Sequence, residues 1–138
     1  MLNAQLEPIE EPRSRRGPLG YLRSAIEAVR GRDAVIRPPV AEPADFDLVL
    51  IGAPVWASHP SSPARAFARL YGQRIKRAAF FCTLGGSGAE PALRELEQAL
   101  GRAPVATLAV TDRELDAGSG SDKLARFANA VRSRTALA

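Results

Sequence analysis

Two short stretches carry the residue types that could do chemistry: APVWASHPSSP at residues 53–63 and TLGGSGAE at residues 83–90. The first holds Trp56 and His59, the chain's one tryptophan and one histidine, among three prolines. The second sets Gly85, Gly86 and Gly88 around Ser87. An indole offers a broad face for stacking, and glycines let backbone N–H groups approach a ligand at φ angles that other residues avoid. Together they suit a flat heterocycle held by stacking and backbone contacts. Each stretch also has a plainer reading. Trp56 fits a bulky residue half buried under its own loop, and GGSG fits a flexible turn feeding a helix. His59 reads as a turn residue hydrogen-bonded to solvent. Cys82, the one cysteine, lies in an apolar run and reads as a buried small hydrophobe, not a redox thiol. Alone it makes neither an intrachain disulfide nor a zinc cluster, and no metal ligands are expected.

The elements that must position these residues follow from the hydrophobic pattern. DLVLIGA (47–53) and AAFFCTL (78–84) are apolar without alternation, as in strands buried on both faces of a parallel sheet. VATLAV (105–110) is a third such strand. Ser62-Pro63 opens a helix, with Phe67 and Leu70 on its inner face and an end near Gly72. Ala89, Leu93, Leu96 and Leu100 form a second helical stripe that stops at Gly101. A loop with Gly118 and Gly120 leads to a last helix, begun at Ser121 or Asp122, whose inner residues are Leu124, Phe127 and Val131. Nearer the amino terminus, Leu2, Ala4 and Leu6 suit one face of a short strand over residues 2–9. Leu19, Leu22, Ile26 and Val29 suit a helix after Gly17-Pro18, and residues 32–46 an irregular connection. Strands alternating with helices imply a parallel α/β sheet, in which ligands gather beyond the carboxyl ends of the strands. Both unusual stretches sit at such ends.

With 138 residues, the chain has the length of a single domain, taken here as 1–138. Hydrophobic residues make up 46% and charged residues 25%, ordinary values for a globular protein. The net charge of +4 owes much to residues 13–32, read as a solvated helix face or a surface for an anionic partner. Nucleic acid is not expected, because single-strand binders interleave aromatics with their basic residues and only Tyr21 is nearby. No run of about 18 apolar residues suggests a membrane span. The amino-terminal MLNAQLEPIEEPRSRR lacks the apolar region of a secretory signal. A cytoplasmic protein is expected.

DFDLVLIGAPVWASHPSSPARAF, RAAFFCTLGGSGAEPALRELEQALG and PVATLAVTD resemble the flavodoxin family in order, spacing and composition. SRRGPLGYLRSAIEAVRGR is similar to a segment that some small flavodoxin-like proteins carry between their second and third strands. The resemblance covers about residues 5 to 131. It implies a flavodoxin-like three-layer sandwich built on a parallel sheet of order 2-1-3-4-5, with flavin mononucleotide (FMN) bound non-covalently. On that resemblance Pro54, Val55, Trp56 and Ala57 face the isoalloxazine, with Trp56 stacking. Thr83, Leu84, Gly85, Gly86, Ser87 and Gly88 run past the other edge of the ring.

The chain departs from the family at its start. It resembles the family only from the second strand on, so the first strand, the Ser/Thr/Gly phosphate loop and the first helix are missing, roughly 25 to 30 residues or about one βα unit. The expected sheet therefore has four strands instead of five, with a gap between residues 2–9 and 47–53. The gap is closed by the amino-terminal strand sliding in, by a partner chain, or by an upstream extension. Arg13, Arg15 and Arg16 have the charge to replace the lost phosphate loop, but nothing in the sequence places them there. The expected function is an FMN-binding redox protein acting in electron transfer, either a carrier or a small oxidoreductase. Its partners are a redox protein or a small electron donor or acceptor, with a homodimer left open. The alternative is a cofactor-free flavodoxin-like interaction module, or a truncated product with weakened FMN binding.

Overall fold

A computed structural model describes residues 3–12, 17–19, 22, 26 and 33–136. Its frame is an α/β sheet of four strands, mostly parallel, covered by helices, as expected for a flavodoxin-like fold. In chain order the elements are β1 (Val49–Trp56), β2 (His59–Pro60), α1 (Ser62–Tyr71), β3 (Ala78–Leu84), α2 (Ala89–Leu100), β4 (Thr107–Thr111), α3 (Asp112–Ala117) and α4 (Ser121–Ala136). The sheet order is β2-β1-β3-β4. β1 runs parallel to β3 from Val49 opposite Ala78 to Pro54 opposite Thr83. β3 runs parallel to β4 from Phe80 opposite Thr107 to Leu84 opposite Thr111.

Alternation along the strands sends side chains to two different cores. On one face Ile51, Ala53, Ala78 and Phe80 pack with Ala64 and Ala68 of α1 and Leu96 and Leu100 of α2. Burying residues the size of Phe80 and Leu96, both 0% exposed, contributes about 1.5–3 kcal/mol each. On the other face Ala79, Leu108 and Val110 pack with Phe127 and Val131 of α4. This second cover is partial. Phe81 remains 37% exposed and Leu124 56%.

Gly52 shapes that thinner side. It stands opposite Phe81 in the β1–β3 register, and a Cβ there would collide with the Phe81 ring. The bare glycine lets the phenyl ring lie across β1.

Most elements fall where the pattern puts them, with four corrections. Residues 3–10 form no strand. They lie instead beside residues 37–41: Arg37 N–H donates to the Glu10 carbonyl at 2.7 Å, and Ala41 N–H donates to the Glu7 carboxylate at 3.1 Å. Pro8 and the acidic Glu7, Glu10 and Glu11 explain why a central strand position is refused. The fourth strand is therefore β2, which folds back from β1, so the amino-terminal segment does not close the expected gap. Leu70 and Leu124, read as inward-facing, are 63% and 56% exposed, since alanines and Phe67 line the inner side of α1. A short helix, α3, occupies part of what reads as a loop before Gly118. Of the helical stripe at Leu19, Leu22, Ile26 and Val29, the first three are exposed; Val29 and the arginines at 13, 15 and 16 lie outside the described residues.

Candidate functional site

The carboxyl edge of the sheet is built from three strand exits. β1 does not stop at its last core residue but continues to Trp56 and reverses through Ala57 and Ser58. Val55 then pairs with Pro60, and Trp56 with His59, in an antiparallel bridge. Ala57 and Ser58 have φ of 49° and 64°. Two central residues with positive φ give the turn whose twist matches a two-residue hairpin, a place usually taken by Asn and Gly. Left-handed backbone costs ordinary residues about 1–2 kcal/mol each, and such strain concentrates at functional sites.

β3 exits beside the hairpin. Leu84 is buried, so it presents only its backbone at this edge, while Thr83, Gly85, Gly86 and Ser87 are exposed. Gly88 then takes φ 93° as it starts α2. A Cβ on Gly88 would stand 2.7 Å from the Cα of Ser58. The glycine bend and the hairpin turn thus touch, and the two sequence stretches form one surface. Pro54 and Thr83 are exposed register partners between them, and Trp56 is half-buried.

A charged network behind the hairpin holds it in place. His59 Nδ1 hydrogen-bonds the Glu95 carboxylate of α2. The other Glu95 oxygen accepts from Arg65 Nη1 at 3.1 Å, and Arg65 Nε donates to Asp33 at 2.9 Å. The Arg65 side chain is 3% exposed. A guanidinium so buried needs paired carboxylates, and these are drawn from two separate parts of the chain. His59 is therefore a structural tie between hairpin and helix, where the sequence reading made it a solvent-bonded turn residue. Arg65, Glu95 and Asp33 went unnoticed in the sequence. Their one-dimensional signal is faint: an arginine at a position where the helix otherwise shows alanines.

Cys82 is buried, and desolvation pushes its thiol above the usual range, in keeping with an inert hydrophobe. Glu114 closes a capping box at the exit of β4, accepting from Thr111 N–H at 2.9 Å while Thr111 Oγ1 accepts from Glu114 N–H at 3.1 Å. The hydrogen bond from Lys123, reinforced by the Thr111 amide, holds the Glu114 carboxyl below its ordinary range.

These residues suit one half of a flavin nucleotide better than the other. An aromatic side chain, a glycine bend and exposed backbone at adjoining strand ends fit a flat ring. An anionic phosphate finds no cradle among the described helix starts. Ser61 and Ser62 at the start of α1 are buried, α2 and α4 carry Glu90 and Asp122 in their first turns, and α3 is capped by Glu114.

No family model matches the chain, and no curated protein matches it. Among solved structures, it is similar to the crystal structure of a flavoprotein in complex with FMN from Lactobacillus acidophilus NCFM. The TM-score is 0.54 at 22% identity, over 69% of this chain and 65% of that one. At that identity the likeness establishes the shared fold, and this chain spans about two thirds of the neighbour's length.

Proposed function

We propose that this protein binds FMN at the carboxyl edge of its sheet and acts as an electron-transfer redox protein. The observation that carries the reading is the contact of hairpin and glycine bend at Ser58 and Gly88. On this reading Pro54, Val55, Trp56 and Ala57 line one side of the ring, with Trp56 stacking. Thr83, Leu84, Gly85, Gly86, Ser87 and Gly88 supply backbone contacts along the other. The bound flavin would supply the electron-accepting chemistry; the chain's residues bind it, orient it and limit water around it. The FMN complex of the structural neighbour supports the same reading.

A second reading, a cofactor-free interaction module, is favoured by the engaged or buried helix starts, which offer the phosphate no built site among the described residues. One titration separates the two. Purified protein is mixed with FMN while flavin fluorescence and absorption bands are followed. Saturable binding that weakens in Trp56→Ala, by about 1 kcal/mol for a lost aromatic contact, supports the flavin reading. Absence of saturable binding by a folded wild-type protein overturns it in favour of the module.

A further inference from the structure

The two outer edges of the sheet are treated differently. Parallel pairing with β3 uses the N–H and C=O groups of alternate residues of β4, and leaves those of Thr107, Ala109 and Thr111 pointing outward. Two of these outward groups are occupied. Lys123 Nζ donates to the Ala109 carbonyl at 3.4 Å, and Thr111 N–H donates to the Glu114 carboxylate at 2.9 Å. Charged side chains are the usual devices against further pairing at an edge, and here they reach β4 from α4 and α3.

Among the described residues β1 has no such guard. Val49 N–H donates to Arg77 at 2.8 Å, so odd-numbered residues of β1 face β3 and even-numbered ones face outward. Pro54 spends its outward carbonyl on Ser61 N–H at 3.0 Å, and β2 covers Val55 and Trp56. Leu48, Leu50 and Gly52 precede this cover, and no described backbone group pairs with them on that side. Residues 48–56 include no charged side chain. The strand is apolar on both faces, with Leu48 and Leu50 on the side of the half-covered Phe81 and Val49 and Ile51 on the other.

We infer that this edge pairs with the same edge of a second copy of the chain, antiparallel about a two-fold axis at Leu50. The geometry is self-complementary. Outward groups recur at every second residue, so Leu50 exchanges both bonds with its counterpart, and Leu48 does so with Gly52 in each direction. Pro54, which lacks an N–H, and the β2 hairpin end the ladder and hold its register. Any occupant of this edge sits between two apolar layers, so it must be apolar on both faces. Among the described residues, β1 is the strand that has that pattern together with an edge no described backbone group pairs with. Gly52 also leaves Phe81 lying where the opposing Leu48 side chain arrives. The inference is independent of flavin binding.

The test is molar mass by light scattering and sedimentation over a range of concentrations, for wild type, Leu50→Lys, Leu50→Glu and an equimolar mixture of the two variants. Like charges facing each other at the axis destabilise pairing, and opposite charges restore it. The expected result is a wild-type dimer, half that mass for each variant with unchanged far-UV circular dichroism, and recovery of the dimer mass in the mixture. A wild type that stays monomeric, variants that stay dimeric, or a mixture that fails to recover the dimer would each overturn the inference. Because a charge at Leu50 risks unfolding the chain, amide exchange on the wild type provides a second measurement. Protection of the Leu50 and Gly52 amides should rise by about tenfold or more with protein concentration; protection independent of concentration counts against the interface.

Discussion

Ser58 occupies the space in which any residue other than glycine at position 88 would place its side chain. Gly88 also has φ 93°, whereas Gly101 has φ 86° with nothing within 4 Å of its missing Cβ. The two glycines therefore separate backbone strain from collision. Gly101→Ala should cost about 1 kcal/mol for its left-handed backbone. Gly88→Ala should cost about 1–3 kcal/mol more, the usual penalty for forcing atoms into a filled space. Urea denaturation of both variants measures the difference. Equal midpoints would mean that bend and hairpin do not press together in solution.

Ala57 stores strain of the opposite kind, because its backbone is left-handed at φ 49° and glycine would relax it. Ala57→Gly should raise stability by about 0.5–1 kcal/mol, the gain from suitable residues in a two-residue hairpin net of glycine's greater entropy loss. A thermal melt reads the result. A lower melting temperature would show that the turn adopts another conformation.

Arg65 and Arg69 lie one helical turn apart and share Asp33, yet they differ in surroundings. The Arg65 side chain is 3% exposed and the Arg69 side chain 55%. Arg65→Met should cost about 2 kcal/mol or more, because the paired carboxylates lose a buried partner and the hairpin loses its anchor through Glu95. Arg69→Met should stay within about 1 kcal/mol, as exposed ion pairs do. Chemical denaturation compares them, and a reversed order would contradict the placement of the network.

Glu114 predicts a pH dependence. Its folded-state carboxyl titrates below the usual value of 4.5, chiefly through the Lys123 hydrogen bond and then the Thr111 amide. A depressed carboxylate contributes stability above its unfolded pKa and loses it as pH falls through the folded one. Wild type should therefore be more stable than Glu114→Gln at neutral pH, with the gap closing as the solution is acidified below the usual carboxylate range. Thermal melts at neutral and strongly acidic pH test this. A gap that widens with acid would reverse the assigned sign.

Much of the frame was legible in the residues. Uninterrupted apolar runs with Gly and Pro punctuation located β3 at residues 78–84 and the helices ending near Gly72 and Gly101, because burial on both faces leaves a one-dimensional signature. Placing the two unusual stretches at strand carboxyl ends needed no coordinates either. The amino-terminal segment misled, since the period of Leu2, Ala4 and Leu6 suits a strand while Glu7 and Pro8 next to it prevent one from being buried.

What the chain's order of residues determined was therefore its alternation of strands and helices and the candidate ring-binding loops. Only the tertiary structure decided that the hairpin and glycine bend touch at Ser58 and Gly88, that Arg65 joins Asp33 to Glu95, and that the outer edge of β1 has no partner among the described residues where β4 is met by Lys123 and Glu114. The reason is range. Periodicity reports a residue's own burial within a few positions, whereas these contacts join residues some 30 positions apart or depend on which side of a strand finds a neighbour.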